Sequence, residues 1–478
     1  MGVSKVDFAG NTLVDLTGDS VTPDTLLEGE TAHNAAGELI VGGMKKGAEL
    51  KIVVSVTSGA AVTATKGSTT VSGTSVNGTC TLVVPEGGAW SVEAINGQTT
   101  DTKSVSVVDN YAVSLSVENV FGVCWNYGSS STALSRLTAA NDPNGLVNTS
   151  ITTEPSPAVG TSSGSSPFDS YLPWAGMEEY NIIDNAVSYK KGASGFSRSL
   201  YDTVVYIPEF YYKVVDDATN SKRYFYIADS PMTGFARHPG SGRYVGKYHV
   251  SNNTDVKSGA TPSVRRERYE FRVNSKMKGN NWCQYDFATH CAIVLLYLVE
   301  FADWDSQSKI GVGGGSDSIA STGDCDSITY HTGTSASDRA SPGSVLYRNI
   351  ENLWANVYSF VDGVNFSDRA GYVCTNPANY DDDTSENYID TGIMLPSSGY
   401  ISSLGYSRDV PWALLPSDAS GSSNTYIPDK VSSADGWRVL RVGGTFRVNT
   451  TFGLMRYDAS YDSSTSSSTG GCRFIYIP

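Results

Sequence analysis

The clearest helical period in this chain lies in its second half, where Phe287, Cys291, Val294, Leu295, Leu298 and Ala302 recur three and four residues apart. Side chains at that spacing share one face, so the pattern predicts a core helix beginning near Tyr285 or Asp286. Around it the sequence reads as strands and loops. Only 17% of the 478 residues are charged, against 48 Gly, 28 Tyr and long Ser/Thr/Asn tracts, a balance that favours extended segments joined by turns. The chain exceeds one ordinary domain, and roughly two to four units are expected at usual domain sizes.

Two-residue alternation carries the first part. Lys51-Ile52-Val53-Val54-Ser55-Val56, Cys80-Thr81-Leu82-Val83-Val84, Trp90-Ser91-Val92-Glu93-Ala94 and Tyr111-Ala112-Val113-Ser114-Leu115 alternate apolar with polar. With turn signals between them they predict a small immunoglobulin-like β-sandwich over residues 48–118, without a Cys-Trp-Cys framework. Residues 1–47 are short strand-like pieces with turns at Gly10-Asn11, Gly18-Asp19 and Gly42-Gly43. A segment this small cannot bury enough apolar surface alone, so it is expected to pair with another chain. Residues 119–478 read as one large α+β domain, entered through a Ser/Thr/Gly/Pro-rich stretch at 129–167. Its strands are expected at 204–214, 223–228, 268–273, 357–361, 438–442, 452–457 and 472–477, with long loops at 311–326 and 381–390. The expected fold class is therefore multidomain and β-rich.

A net charge of −15 without a Lys/Arg run argues against nucleic acid as partner, since that affinity comes from cationic neutralisation. The first ten residues lack a basic region followed by an apolar one, and the longest apolar run, 291–299, is too short for a bilayer span. A soluble chain made in a cytoplasm, without membrane insertion, is expected. Seven widely scattered cysteines without C-x-x-C spacing predict buried, reduced thiols.

Searches for chemistry end mostly in near misses. Five histidines (His33, His238, His249, His290, His331) are dispersed across domains and loops, and nothing in the spacing points to a Ser-His-Asp triad. Gly240-Ser241-Gly242-Arg243-Tyr244-Val245-Gly246-Lys247-Tyr248 fails as a phosphate loop, because Ser241 and Tyr248 stand where a glycine and a Ser/Thr are needed. Asp303-x-Asp305 starts like an EF-hand but lacks its glycine and bidentate Glu. The Asp381-Asp382-Asp383 run reads first as a solvated loop, with a structural Ca2+ as the alternative; no cofactor and no metal ligand set is expected. Two carboxylates in a cleft, as a glycosidase needs, leave no signature in spacing.

The segment Tyr347-Arg348-Asn349-Ile350-Glu351-Asn352-Leu353-Trp354-Ala355-Asn356-Val357-Tyr358-Ser359-Phe360-Val361-Asp362-Gly363 resembles the G-N-V-W-E-W stretch of C-type-lectin-like domains of the formylglycine-generating type. Trp437-Arg438-Val439-Leu440-Arg441-Val442-Gly443-Gly444-Thr445-Phe446 is similar to that group's R-G-G-S-W motif. Gly470-Gly471-Cys472-Arg473-Phe474 is similar to its G-F-R, in the same order. The group includes the variable proteins of diversity-generating retroelements. Glu351, Ala355, Asn356, Val442 and Cys472 depart from the pattern, and the catalytic cysteine pair of the sulfatase-modifying members has no counterpart, so oxidase activity is not implied. Gly10-Asn11-Thr12-Leu13-Val14-Asp15-Leu16-Thr17-Gly18-Asp19 with Thr31-Ala32-His33-Asn34-Ala35-Ala36-Gly37 resembles a leader on tail proteins of phages and prophages of Gram-positive hosts.

The resemblance implies a tail-fibre tip adhesin on a bacteriophage virion. It would be a homotrimer, joined to other tail proteins through its N-terminus, that binds a protein or glycan of the host surface and is not an enzyme. Its variable contacts would lie between Thr445 and Thr469, and of the residue types that adenine-targeted diversification cannot produce only Met455 occurs there. The implied ligand-binding residues are Thr445, Phe446, Arg447, Asn449, Thr450, Arg456, Tyr457, Asp458, Ser460, Tyr461, Asp462 and Ser463. Exposure is expected for Arg447, Tyr461 and residues 463–469, while Phe452 and Leu454 are expected to pack inward. The alternatives are a tail-associated glycan depolymerase and a structural fibre or baseplate protein without receptor contact.

Overall fold

A backbone whose side chains alternate between water and an apolar interior must extend, and the described residues between 50 and 115 do so in seven strands. The computed structural model describes residues 4–9, 11–26, 28–43, 49–57, 59–96, 99–115, 117–314, 318–447 and 452–478. One sheet has the order Thr99–Val107, Gly88–Asn96, Ala61–Lys66, Thr69–Thr74; the other has Tyr111–Ser114, Leu50–Ser55, Thr79–Val84. Tyr111–Ser114 runs parallel to Leu50–Ser55, which pairs antiparallel with Thr79–Val84. The inward positions Ile52, Val54, Val62, Leu82, Val84, Trp90, Val92 and Val107 form one core. Two hairpins precede the sandwich, Lys5–Phe8 with Asn11–Asp15 and Thr31–His33 with Leu39–Val41. Gly10 and the expected boundary at 47/48 lie outside the described residues.

The chain divides into two units, Met1–Ile95 with Thr100–Val117, and Asn96–Thr99 with Glu118–Pro478. Strand makes up 39% and helix 9% of the whole, so the protein is β-rich and multidomain. The second unit holds a five-stranded sheet, a six-stranded sheet and an eight-stranded sheet. The main path of the last runs Ile389–Met394, Ala370–Val373, Tyr358–Ser367, Trp437–Val442, Tyr457–Tyr461, Lys430–Ser433, Ser398–Tyr400.

Three α-helices complete this unit among the described residues: α1 (Arg268–Lys278), α2 (Phe287–Phe301) and α3 (Ser306–Lys309). The Asp286 carboxylate caps α2 by accepting from the Thr289 N–H, and Ala302 ends it at φ +49°. Every residue of α2 is buried, because strands Val120–Asn126 and Lys222–Ala228 as well as Tyr358–Ser367 pack on it. The periodic positions thus marked one face of a helix that is covered all round. No described helix is long and apolar enough to cross a membrane. All seven cysteines are buried and unpaired.

Three sequence expectations are corrected. Residues 268–273 form the start of α1, since Glu267 and Glu270 close a reciprocal capping box and Phe271 and Ser275 face the core while Tyr269, Val273 and Met277 face water. Residues 204–214 are two strands, Asp202–Ile207 and Tyr211–Asp217, in different sheets; Pro208 between them cannot donate to a ladder. Residues 452–457 are not a strand. The Asp429 carboxylate accepts from the Gly453 and Met455 N–H groups at 2.5 and 2.9 Å, and Ser306 Oγ accepts from that of Leu454 at 3.0 Å, so side chains take the donors a ladder would need. The strand starts at Tyr457 instead.

The three motif-bearing segments, far apart in sequence, meet in space. Ala355 N–H donates to Gly443 O, and Phe446 N–H to Asn356 O, both at 2.7 Å. The buried Arg473 guanidinium donates to the carbonyls of Glu351 and Asn352 in the first segment and to those of Gly246 and Lys247. Gly443 has φ +86°, and a Cβ there would stand 2.3 Å from Leu353 O. Gly443→Ala is therefore expected to cost about 2–3 kcal/mol in stability, from left-handed strain plus overpacking; a urea midpoint equal to that of the parent protein would refute this.

Candidate functional site

The candidate surface is carried by strand Tyr457–Tyr461, which sits between Trp437–Val442 (antiparallel) and Lys430–Ser433 (parallel). Beyond it, residues 462–469 form a loop that returns to the sheet at Gly470–Gly471, parallel to Tyr358–Ser367. Its end points are thereby set by backbone pairing, while the loop between them faces water. Asp462 Oδ1 accepts from the hydroxyls of Ser464 and Thr465 at 2.9 and 2.8 Å, and these bonds hold its carboxyl below the ordinary value. Ser463 Oγ donates to Asp383 Oδ2 at 2.6 Å.

The structure separates the twelve expected binding residues into three groups. Arg447, Tyr461 and Asp462 are exposed, with Ser460 and Ser463 half-buried. Asn449 and Thr450 lie outside the described residues. Thr445, Phe446, Arg456, Tyr457 and Asp458 are buried, so in this fold these five lie beneath the surface and not on it. The reason is a polar layer beneath the surface. Arg441 donates to Asp458 Oδ2 at 2.6 Å, and its guanidinium lies 3.7 Å from the Tyr461 ring centroid and 4.5 Å from that of Tyr358. Arg456 donates to Lys430 O at 2.8 Å and to the Tyr358 hydroxyl at 3.2 Å. Burial opposes ionisation of Asp458, but the Arg441 and Arg456 charges hold its carboxyl below the usual range. Tyr457 is fully enclosed, beside Phe287 and His290 of α2. Leu454 is buried and Phe452 half-buried.

Sequence reasoning missed Arg441 and Tyr358 as the floor under Tyr461, and the half-buried Trp437, which pairs with Tyr372 at 6.3 Å between ring centroids. The only signal in the sequence was the alternation in Trp437–Val442; the register that sets Arg441 opposite Asp458 is a tertiary fact.

The acidic run has arginine partners. Asp382 accepts from Arg268 Nε at 2.6 Å and Arg272 Nη2 at 2.7 Å, and although burial opposes it, these guanidiniums keep the carboxyl below its ordinary value. Asp305 caps α3 and Asp303 pairs with Lys309 at 3.4 Å, so the EF-hand-like start is a helix-capping turn. Among the described residues no group of three or more His, Cys, Asp or Glu is placed to hold a metal ion.

Asp429, which shapes the 453–455 turn, is raised to about 7 by burial, against its backbone hydrogen bonds; burial also raises Glu351 to about 7. A carboxyl whose folded value exceeds its unfolded one binds its proton more tightly when folded. Its stabilising contribution is complete below about pH 4 and fades as pH rises through 7. The buried histidines His238, His249 and His290, lowered by desolvation, act with the opposite sign over the lower part of this window, so the test is a difference: the gap in unfolding temperature between the parent and Asp429→Asn is expected to narrow from pH 5 to pH 8, and a constant gap would refute the assignment. Glu179, lowered to about 2 by Lys247 and Arg198 against its burial, acts only below this window.

No family model matches this chain, and no curated protein does. Among solved structures it is similar to a chain described as "Major Tropism Determinant U1 Variant", over 82% of each chain, at 8% identity and a TM-score of 0.26. A likeness that slight carries no argument.

Proposed function

We propose that this protein is a tail-fibre tip adhesin of a bacteriophage virion. It binds a protein or glycan of the host bacterial surface without catalysis, and its N-terminal segment joins it to other tail proteins in a homotrimer. The observation that carries this reading is exposed Tyr461 and the hydroxyl-rich loop that follows it, with Arg447 exposed in the same stretch of chain, on a backbone pinned by the Arg441–Asp458–Arg456 layer. Receptor contact of this kind needs side chains that can vary while the scaffold stays put, and aromatic and arginine anchors dominate such contacts. The leader-like N-terminal sequence and the order of the three C-terminal motifs support a virion location, and trimerisation would multiply weak contacts through avidity.

The test is binding of fluorescently labelled full-length protein to a panel of Gram-positive gut bacteria, beside the double variant Arg447→Ala/Tyr461→Ala. The expected result is strain-restricted binding that the double variant weakens at least tenfold, as loss of two contact anchors would. The unfolding temperature should stay within a few degrees, since the cation–π contact of Tyr461 on the buried Arg441 contributes about 1–2 kcal/mol. A double variant that binds cells as the parent does would overturn the assignment.

A further inference from the structure

Two cavities in the second unit share no residue with the Tyr461 surface. The first, of about 300 Å3, is lined by Asp169, Trp174, Lys191, Tyr330, His331 and Arg348 among others. The second, of about 450 Å3, is lined by Lys191, Phe196, Arg198, Ser258 and Asp326 among others. Lys191 stands in both walls, so the two adjoin.

The polar groups of the first cavity are fixed in place before any ligand arrives. Asp169 accepts from Tyr330 OH at 2.7 Å, Arg348 Nη1 at 2.8 Å and His331 Nε2 at 2.9 Å. The Ser166 N–H donates to its second oxygen at 3.2 Å, so the carboxylate, 34% exposed, is a fixed charge at the opening. Arg348 is itself anchored on the buried Glu300. The His331 ring is held neutral, burial outweighing the opposing Asp169 contact. Across the opening, the Lys191 ammonium is steadied by Glu179 at 3.0 Å while 42% exposed, and it offers free donors. The Tyr330 ring, tilted against His331 with centroids 4.0 Å apart, supplies an apolar wall. The second cavity repeats the combination: Phe196 for the wall, and Arg198, held by Glu179 at 2.7 Å, with Ser258 donating to Asp326 at 2.6 Å.

Rigid donors and acceptors beside an aromatic wall, in a space of a few hundred Å3, suit a compact ligand with many hydroxyls. Charge narrows the class. The ionic residues lining the two cavities are four carboxylates (Asp169, Glu178, Glu179, Asp326) and three cations (Lys191, Arg198, Arg348), a balance that gives no advantage to a phosphate or an acidic sugar. We infer that the two adjoining cavities form a glycan-binding groove that takes a short neutral oligosaccharide, one sugar ring in each, apart from the Tyr461 surface.

The test is saturation-transfer NMR and titration calorimetry of the full-length protein with N,N′-diacetylchitobiose, cellobiose and lactose, and with sialyllactose as the acidic control. Millimolar or tighter binding is expected for at least one neutral disaccharide, at least tenfold weaker in Tyr330→Ala and in Lys191→Ala. The second variant guards against misfolding of the first, because Glu179 keeps Arg198 and Lys247 as partners. No binding of any neutral disaccharide at 10 mM, tighter binding of sialyllactose, or binding unchanged in folded Lys191→Ala would each overturn the inference. None of these outcomes depends on cell binding through Tyr461, so the two readings fail separately.

Discussion

Arg473→Met is expected to destabilise the second unit by about 3–5 kcal/mol, read from urea unfolding followed by tryptophan fluorescence. Arg473 is fully buried and has no carboxylate ion-pair partner among the described residues; four backbone carbonyls, those of Gly246, Lys247, Glu351 and Asn352, take its protons. Burial without a counter-charge lowers the group to about 10, which still leaves it a cation at neutral pH. Methionine fills much of the volume but donates nothing, so acceptors in a dry interior lose a shared donor together, a loss that removal of the buried, uncompensated charge partly offsets. The loss also unties the residue 351–352 turn from the C-terminal strand Phe474–Tyr476. Arg473→Lys should recover part of the loss, because an ammonium donates three bonds but lacks the planar fork that serves several carbonyls at once. A change below about 1 kcal/mol for Arg473→Met would sink this account.

Glu300→Ala is the second large effect, also about 3–5 kcal/mol. Glu300 lies in the buried α2, and its carboxylate accepts from Arg348 at 2.5 and 3.0 Å, from Tyr347 OH at 3.0 Å and from Ser166 Oγ at 2.8 Å. Its removal strands a guanidinium that is 2% exposed, leaving the shared Asp169 carboxylate and the longer, uncharged contacts to Ser166 Oγ and His331 Nε2. The cost arises mainly from that uncompensated charge, so Arg348→Met should offset part of it, and the double variant should be more stable than the two single losses predict. Simple additivity would show that the two side chains act independently and would refute the network. Glu300→Gln, which keeps the shape and half of the acceptor capacity, should fall between the parent and Glu300→Ala.

What was legible in the sequence followed local physics. Alternation in Leu50–Ser55 and Thr79–Val84 marks strands because a pleat sends neighbouring side chains to opposite faces, whatever lies further away. Asp286 before an apolar three-and-four period marks the start of α2 for the same kind of reason: an N-cap and a helical face are both local. Residues 268–273 misled because Tyr269, Phe271 and Val273 alternate like a strand, while the reciprocal cap between Glu267 and Glu270, also local, was the competing signal and prevailed.

The candidate surface was legible only in outline. Composition and the motif order directed attention to residues 445–469, and the exposure of Arg447, Tyr461 and the Ser/Thr loop follows from side chains that solvate well. The rest depended on partners distant in sequence. Asp429 and Ser306 capture the N–H groups of 453–455, which bends a stretch that otherwise reads as a strand, and Arg441 arrives opposite Asp458 only once the two strands are in register.

By itself, then, the sequence determined the β-rich character, the sandwich core, the buried helix α2 and the absence of a cationic surface run, since each rests on side-chain periodicity or net charge within a short window. Only the tertiary structure decided that Arg456, Tyr457 and Asp458 lie beneath the surface while Tyr461 lies on it, and that Asp382 belongs to Arg268 and Arg272. Burial of a charge depends on a compensating partner, and here those partners come from other elements that only the folded chain brings within hydrogen-bond reach.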